Sequence, residues 1–184
     1  MKKKPSFNQE MAIRGANRRL FARSPLVIQK LEQSRQEFPR FKKDGSRHKK
    51  NWVKRQCEVC QEWVSSSKIA VDHIDPVVPP EGFPVEFDMW DRITLFLKRL
   101  WCDISNLQRI CSECHDKKTY KERIDRLSKK YIDELNIIEI ELKSNKKQYL
   151  DFKKQIKKYL AKKKIVGLEP VVQKALAIKN NFEK

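Results

Sequence analysis

The chain has 184 residues, room for one compact domain with extensions, and its 42 Lys/Arg against 24 Asp/Glu leave a net charge of +18. A mean hydropathy of −0.75 with 36% charged residues predicts a small core and long solvated helices, and no apolar run is long enough to span a membrane. The basic excess calls for an anionic partner, by default nucleic acid, and Met1-Lys2-Lys3-Lys4 with no apolar stretch behind it is no signal peptide, so a reducing cytoplasm is expected.

The charge comes in blocks. Residues 1–56 hold 17 Lys/Arg and 4 Asp/Glu, residues 57–114 hold 5 and 10, and residues 115–184 hold 20 and 10. Two basic wings flank an acidic centre, which suits a cation-binding centre and phosphate-binding wings.

Residues 1–50 read as a basic, DNA-binding arm. A helix is expected over Gln9–Arg23, with Arg14, Arg18, Arg19 and Arg23 as the DNA contacts and Met11, Leu20 and Phe21 as a weak apolar side. Ser24-Pro25 supplies an N-cap and an N1 proline for a second helix to about Gln36, with Val27, Leu31 and Ser34 inward and Phe38-Pro39 ending it. Lys42–Ser46 reads as a turn and Arg47–Lys50 as a basic linker. Trp52–Gln56 is a short strand leading into Cys57-x-x-Cys60, with Trp63 and Val64 covering the knuckle. Lys68–Ile74 alternates like a half-buried strand, which puts Asp72 and His73 on opposite faces unless the strand bulges.

Four prolines between Pro76 and Pro84 mark a loop, and residues 90–101 form an inserted helix with Ile93, Leu97 and Leu100 on one side. Cys102 reads as a small buried apolar residue. A second short strand precedes Cys111-x-x-Cys114, and His115 falls in the first turn of the following helix. From Tyr131 a heptad seam runs through Leu135, Ile138, Leu142, Asn145, Tyr149, Phe152, Ile156 and Tyr159. It either pairs two chains into a homodimer or folds back near residues 143–146. Gly167 and Pro170 end the helix, and a short amphipathic helix over Val171–Ile178 closes the chain.

In a reducing compartment paired cysteines are better read as metal ligands than as disulfides. Cys57, Cys60, Cys111 and Cys114 form two Cys-x-x-Cys pairs with about 50 residues between them, the pattern of a closed, structural Zn2+ site with no position open to substrate. Asp72, His73 and His115 are the candidates for chemistry. A carboxylate and an imidazole can hold one Mg2+-like ion whose shell is completed by water and phosphate oxygens. A second imidazole off the metal can take a proton from attacking water. The strand pattern makes His73 the base and leaves Asp72 and His115 as ligands. A second metal knuckle without catalysis has the same spacing.

Asp72-His73-Ile74-x-Pro76, Asn106-Leu107-Gln108 and Cys111-x-x-Cys114-His115-x-x-Lys118-Thr119 together resemble the zinc-bearing form of the HNH nuclease motif, over about residues 57–120. The resemblance implies an α+β fold: a small ββα-metal, treble-clef-like core over 51–125 with the helix 90–101 inserted, the basic arm 1–50 before it and a basic helical extension 126–184 after it. It implies a Mg2+- or Mn2+-dependent endonuclease acting on double-stranded DNA. His73 would be the general base, Asp72 and His115 the ligands of the catalytic ion, and Asn106 the residue that fixes the loop around His73. Lys118 would lie near a backbone phosphate. The segment between Pro76 and Asn106 is longer than the family's usual loop. The short arm–nuclease–tail layout also resembles small phage-encoded HNH proteins of the homing or packaging type.

Overall fold

The computed structural model describes residues 7–144 and 149–182. The chain divides into two compact units: the first runs to Pro79 and resumes over Phe83–Lys117, and the second comprises Pro80–Gly82 and the chain from Lys118 onward. The fold is mixed α+β.

In the first unit, helix α1 (Gln9–Phe21) is capped by Asn8, whose Oδ1 accepts from Met11 N at 2.9 Å. Helix α2 (Pro25–Glu32) begins as its Ser24-Pro25 start predicts, with the Ser24 hydroxyl accepting from Val27 N. It stops short of Gln36, because Gln36–Phe38 forms a strand, β1. β1 pairs antiparallel with β2 (Trp52–Gln56), and β2 with β3 (Trp63–Ser65). Trp63, expected only to cover the knuckle, is a strand residue whose ring meets Phe38 at 5.6 Å. A second sheet pairs β4 (Ile69–His73) with β5 (Leu107–Cys111) in unbroken antiparallel register from Ile69↔Cys111 to His73↔Leu107. Helix α3 (Met89–Leu100) is the inserted helix, capped by Asp88.

The residues expected to form a separate arm fold into this unit. Phe21 and Val27 are buried with Phe96, Leu100 and Leu107 in one apolar cluster, because α1 and α2 each carry one apolar face that only the strands and α3 can cover. Arg109, itself buried, fastens α2 from below. Its guanidinium donates to Lys30 O and Gln33 Oε1, both at 3.0 Å, and pairs with Glu58 at 2.7 Å. Lys30 reaches the same Glu58 carboxylate at 3.2 Å.

Helix α4 (Ser112–Ser144) follows β5 directly, and α5 (Tyr149–Leu160) and α6 (Glu169–Phe182) complete the described residues. In the second unit Leu135, Ile138 and Leu142 of α4 are buried with Ile156 and Tyr159 of α5 and with Leu168, Val171, Ala175 and Ile178. The heptad seam is therefore filled from within one chain, and the homodimer through this helix is not what buries it. Asn145 lies outside the described residues, as do the side chains of Tyr149 and Phe152. Four Lys/Arg–Glu pairs at i,i+4 spacing support the outer face of α4, including Lys118–Glu122 at 3.5 Å.

Gly167 has φ +90, and a Cβ built on it would lie 2.5 Å from Ile124 Cγ2. Gly167→Ala is therefore expected to destabilise the second unit by about 1–3 kcal/mol, from αL strain and overpacking together. Denaturant unfolding followed by far-UV circular dichroism checks it; an unchanged midpoint would contradict it.

No described helix is long and apolar enough to cross a membrane.

Candidate metal centre and the His73 turn

The ligand atoms of Cys57, Cys60, Cys111 and Cys114 all lie within 4.8 Å of one another. The local chain explains the convergence. Cys57 follows β2 directly and starts a tight turn, closed by Gln61 N donating to Cys57 O at 2.9 Å, with Gln61 itself at φ 63. Cys111 is the last residue of β5, and Cys114 sits in the first turn of α4. A strand end and a helix start thus present the second pair just as the turn presents the first.

The sulfurs are set up to be shared. Cys57 is fully buried, and its Sγ accepts from Cys111 N at 3.3 Å. Burial raises the Cys57 thiol, but backbone N–H groups of Cys60, Cys111 and Val59 outweigh it and bring the thiol down to about 7. Cys114, hydrogen-bonded to Cys111 and partly desolvated, is pushed up to about 12. Four thiols this close cannot all ionise alone, and a tetrahedral dication with soft-ligand affinity removes the conflict. The residues fit structural zinc. Among the described residues they are the one group of three or more His, Cys, Asp or Glu side chains gathered on a point.

The turn after β4 is held from two sides. On one side Asn106 Oδ1 accepts from Asp75 N at 2.9 Å, and Asn106 O accepts from Ile74 N at 2.8 Å. On the other side the last turn of α3 reaches in. Arg99 donates to Pro76 O at 2.8 Å and to Val77 O at 3.2 Å, and Leu100 O lies 2.9 Å from His73 Nε2. A carbonyl can only accept, so the neutral imidazole carries its proton on Nε2 and its lone pair on Nδ1. Phe21 stacks against the ring at a centroid distance of 4.9 Å, and His73 keeps 7% of its surface exposed.

His73 and Asp72 both line a cleft of about 400 Å³ walled by Arg18, Phe21, Val27, Val71 and Leu100 among others. The regular ladder rules out a bulge at this point: Asp72 faces Gln108 and His73 faces Leu107 across the strands, so the two side chains leave β4 on opposite faces. His115 stands in the first turn of α4, its side chain 44% exposed, with Nδ1 at 4.0 Å from Asp116. Asp72 and His115 offer the donor types of a hard-cation site, and neither belongs to a group of three or more such ligands gathered on one point among the described residues. Water and phosphate oxygens would complete such a shell.

The α1 arginines differ from one another. Arg14 pairs with Glu10 and lies over the rings of Phe83 and Phe96, so its cation is already engaged within the fold. Arg18 lies over Phe96 and lines the His73 cleft. Arg19 and Arg23 are exposed.

Leu100, Arg99 and Phe21 carry no motif that announces their place beside His73. The Glu10–Arg14 pairing had a signal, its i,i+4 spacing. Asn106→Ala is expected to cost about 0.5–1.5 kcal/mol, the net worth of one hydrogen bond whose donor water can reach, and to speed amide exchange at Asp75. Asn106→Asp, which keeps the acceptor, should restore the protection; exchange rates unaffected by either change would disprove the brace. No family model, no curated protein and no solved structure matches this chain.

Proposed function

We propose that the protein is a divalent-metal-dependent DNA endonuclease of the HNH type, with structural zinc in the four-cysteine knuckle. The observation that carries the reading is the brace around one imidazole. The turn that follows His73 hangs on Asn106, while Leu100 O fixes which ring nitrogen holds the lone pair. Asn106 is the residue that the resemblance assigns to this task, and α4, which follows β5 without a break, carries His115 in its first turn.

In this reading His73 Nδ1 takes a proton from water as the water oxygen bonds to phosphorus, and the bond from phosphorus to the leaving sugar oxygen breaks. Asp72 and His115 would hold a Mg2+ or Mn2+ ion, which stabilises the charge that builds on the phosphate and leaving oxygens. Arg18, which lines the same cleft, would meet a phosphate.

One observation favours a second reading, a zinc-stapled DNA-binding protein without catalysis. An imidazole that is 7% exposed, stacked on phenylalanine and bonded to a carbonyl is also what a core histidine looks like. Supercoiled plasmid incubated with magnesium or manganese, or with neither, separates the two. Nicked or linear product that needs the ion and is lost in Asp72→Asn supports the nuclease. Plasmid that is retarded but never cut supports the binding protein.

A further inference from the structure

The β1–β2 connection is not a linker. Beyond the Phe38↔Trp52 pair the two strands stay together as a ribbon: His48 N donates to Arg40 O at 2.7 Å, Phe41 bridges to Arg47, and Lys42 N donates to Ser46 O at 2.8 Å. The tip turns at Gly45, φ +80, and Asp44 is engaged by the backbone and hydroxyl of Ser46. Residues 39–51 carry six Lys/Arg and one acidic side chain.

Those cations are not taken up by ion pairs within the fold, as several others in the first unit are. Lys30, Arg35, Arg55, Arg92 and Arg109 all pair with carboxylates. None of Arg40, Lys42, Lys43, Arg47, Lys49 and Lys50 pairs with a carboxylate among the described residues. All but Arg40 are exposed, and Arg40 lies over the ring of Trp52 at 4.7 Å. Phe41 is 63% exposed between them. Like charges held together on an ordered ribbon repel one another, and an exposed phenyl ring among them has no folded-state partner. Both features make sense when a polyanion with apolar edges covers them.

We infer that this ribbon, residues 39–51, docks into the major groove of duplex DNA, its lysines and arginines on the flanking phosphates and Phe41 against base edges. A two-stranded ribbon fits that groove. The inference rests on the proposal that duplex DNA is the substrate, and it moves the main grip on DNA from α1 to the hairpin.

The test is fluorescence anisotropy with a labelled duplex and the matching single strand, in calcium without magnesium, on the zinc-loaded full chain. K42S/K43S/R47S/K49S should weaken duplex binding at least tenfold. It should also flatten the dependence of log affinity on log salt by about 3 to 4, since each phosphate contact contributes roughly 0.9. Arg35→Ser, whose cation is paired with Glu32 and Glu37, should leave that slope unchanged. Phe41→Ser should weaken duplex binding with the slope intact. Wild-type affinity and slope in the four-site variant would overturn the inference, as would tighter binding of the single strand than of the duplex. If plasmid cutting persists in the four-site variant with duplex affinity unchanged, the nuclease reading stands and the ribbon falls. If the wild type binds but cuts nothing while the variant loses binding, the ribbon stands and the nuclease falls. Zinc content and circular dichroism confirm that each variant is folded.

Discussion

His73→Ala is expected to slow plasmid cleavage at saturating DNA by about 10²–10⁴-fold, the contribution of a positioned general base, equal to about 3–5 kcal/mol of barrier. Duplex affinity in calcium should not change, because the imidazole lies at 7% exposure and off the basic ribbon. The difficulty is that alanine also removes the stack on Phe21 and the hydrogen bond to Leu100 O, so a loss could be structural. Two further variants separate these causes. His73→Gln fills much of the volume and offers an amide N–H to Leu100 O, yet has no nitrogen that can accept a proton. It should be as slow as alanine. Phe21→Leu disturbs the same packing from the other side and keeps the base, so it should retain most of the rate. If His73→Gln cuts at the wild-type rate, or Phe21→Leu is as slow as His73→Ala, the histidine is a core residue and no base.

Elements with a strong local signal were legible from the residues. The Ser24-Pro25 start of α2, the alternation of β4, the helical spacing of α3 and the Gly167 stop all rest on local stereochemistry and appear within a few residues of their expected places. β1 and β3 were not legible, since three residues such as Gln36-Glu37-Phe38 are too few to show a period and become strands only by pairing with β2. The basic wing misled in a specific way. Its charge suggested a DNA-binding arm, and the burial of Phe21 and Val27 depends on a face supplied by α3 and β5 from about 70 to 85 residues away. The ribbon was missed for the converse reason: a turn and a lysine run describe its composition, while its order comes from cross-strand bonds. Within the candidate site the cysteine spacing was sufficient to identify the knuckle. The brace was only half visible, because Leu100 contributes through its backbone carbonyl, which no side-chain pattern encodes.

Removing the knuckle's metal should have the largest effect on the first unit. Zinc-loaded protein is expected to carry one zinc per chain, and Cys111→Ser or prolonged chelation should remove it. Structural zinc contributes on the order of 10–16 kcal/mol in small zinc-folded peptides, which rivals the whole stability of an ordinary domain, about 5–15 kcal/mol. The consequences follow the covalent and hydrogen-bonded path outward. Cys57 and Cys111 hold β2 to the end of β5. Glu58, next to Cys57, accepts from Arg109 N at 2.9 Å and pairs with its guanidinium and with Lys30, so losing the knuckle also releases α2. The second unit should behave differently, since its buried core from Ile124 to Ile178 contains no cysteine. Chelation is therefore expected to abolish the tryptophan near-UV signal while much of the far-UV helical signal survives, and protease should cut first before residue 118. Acid should act like the chelator, since metal binding requires the thiols to be deprotonated and falls as pH drops. Cys102→Ser, outside the cluster, should keep both zinc and fold. A metal-free protein with an unchanged melting curve would refute the zinc centre.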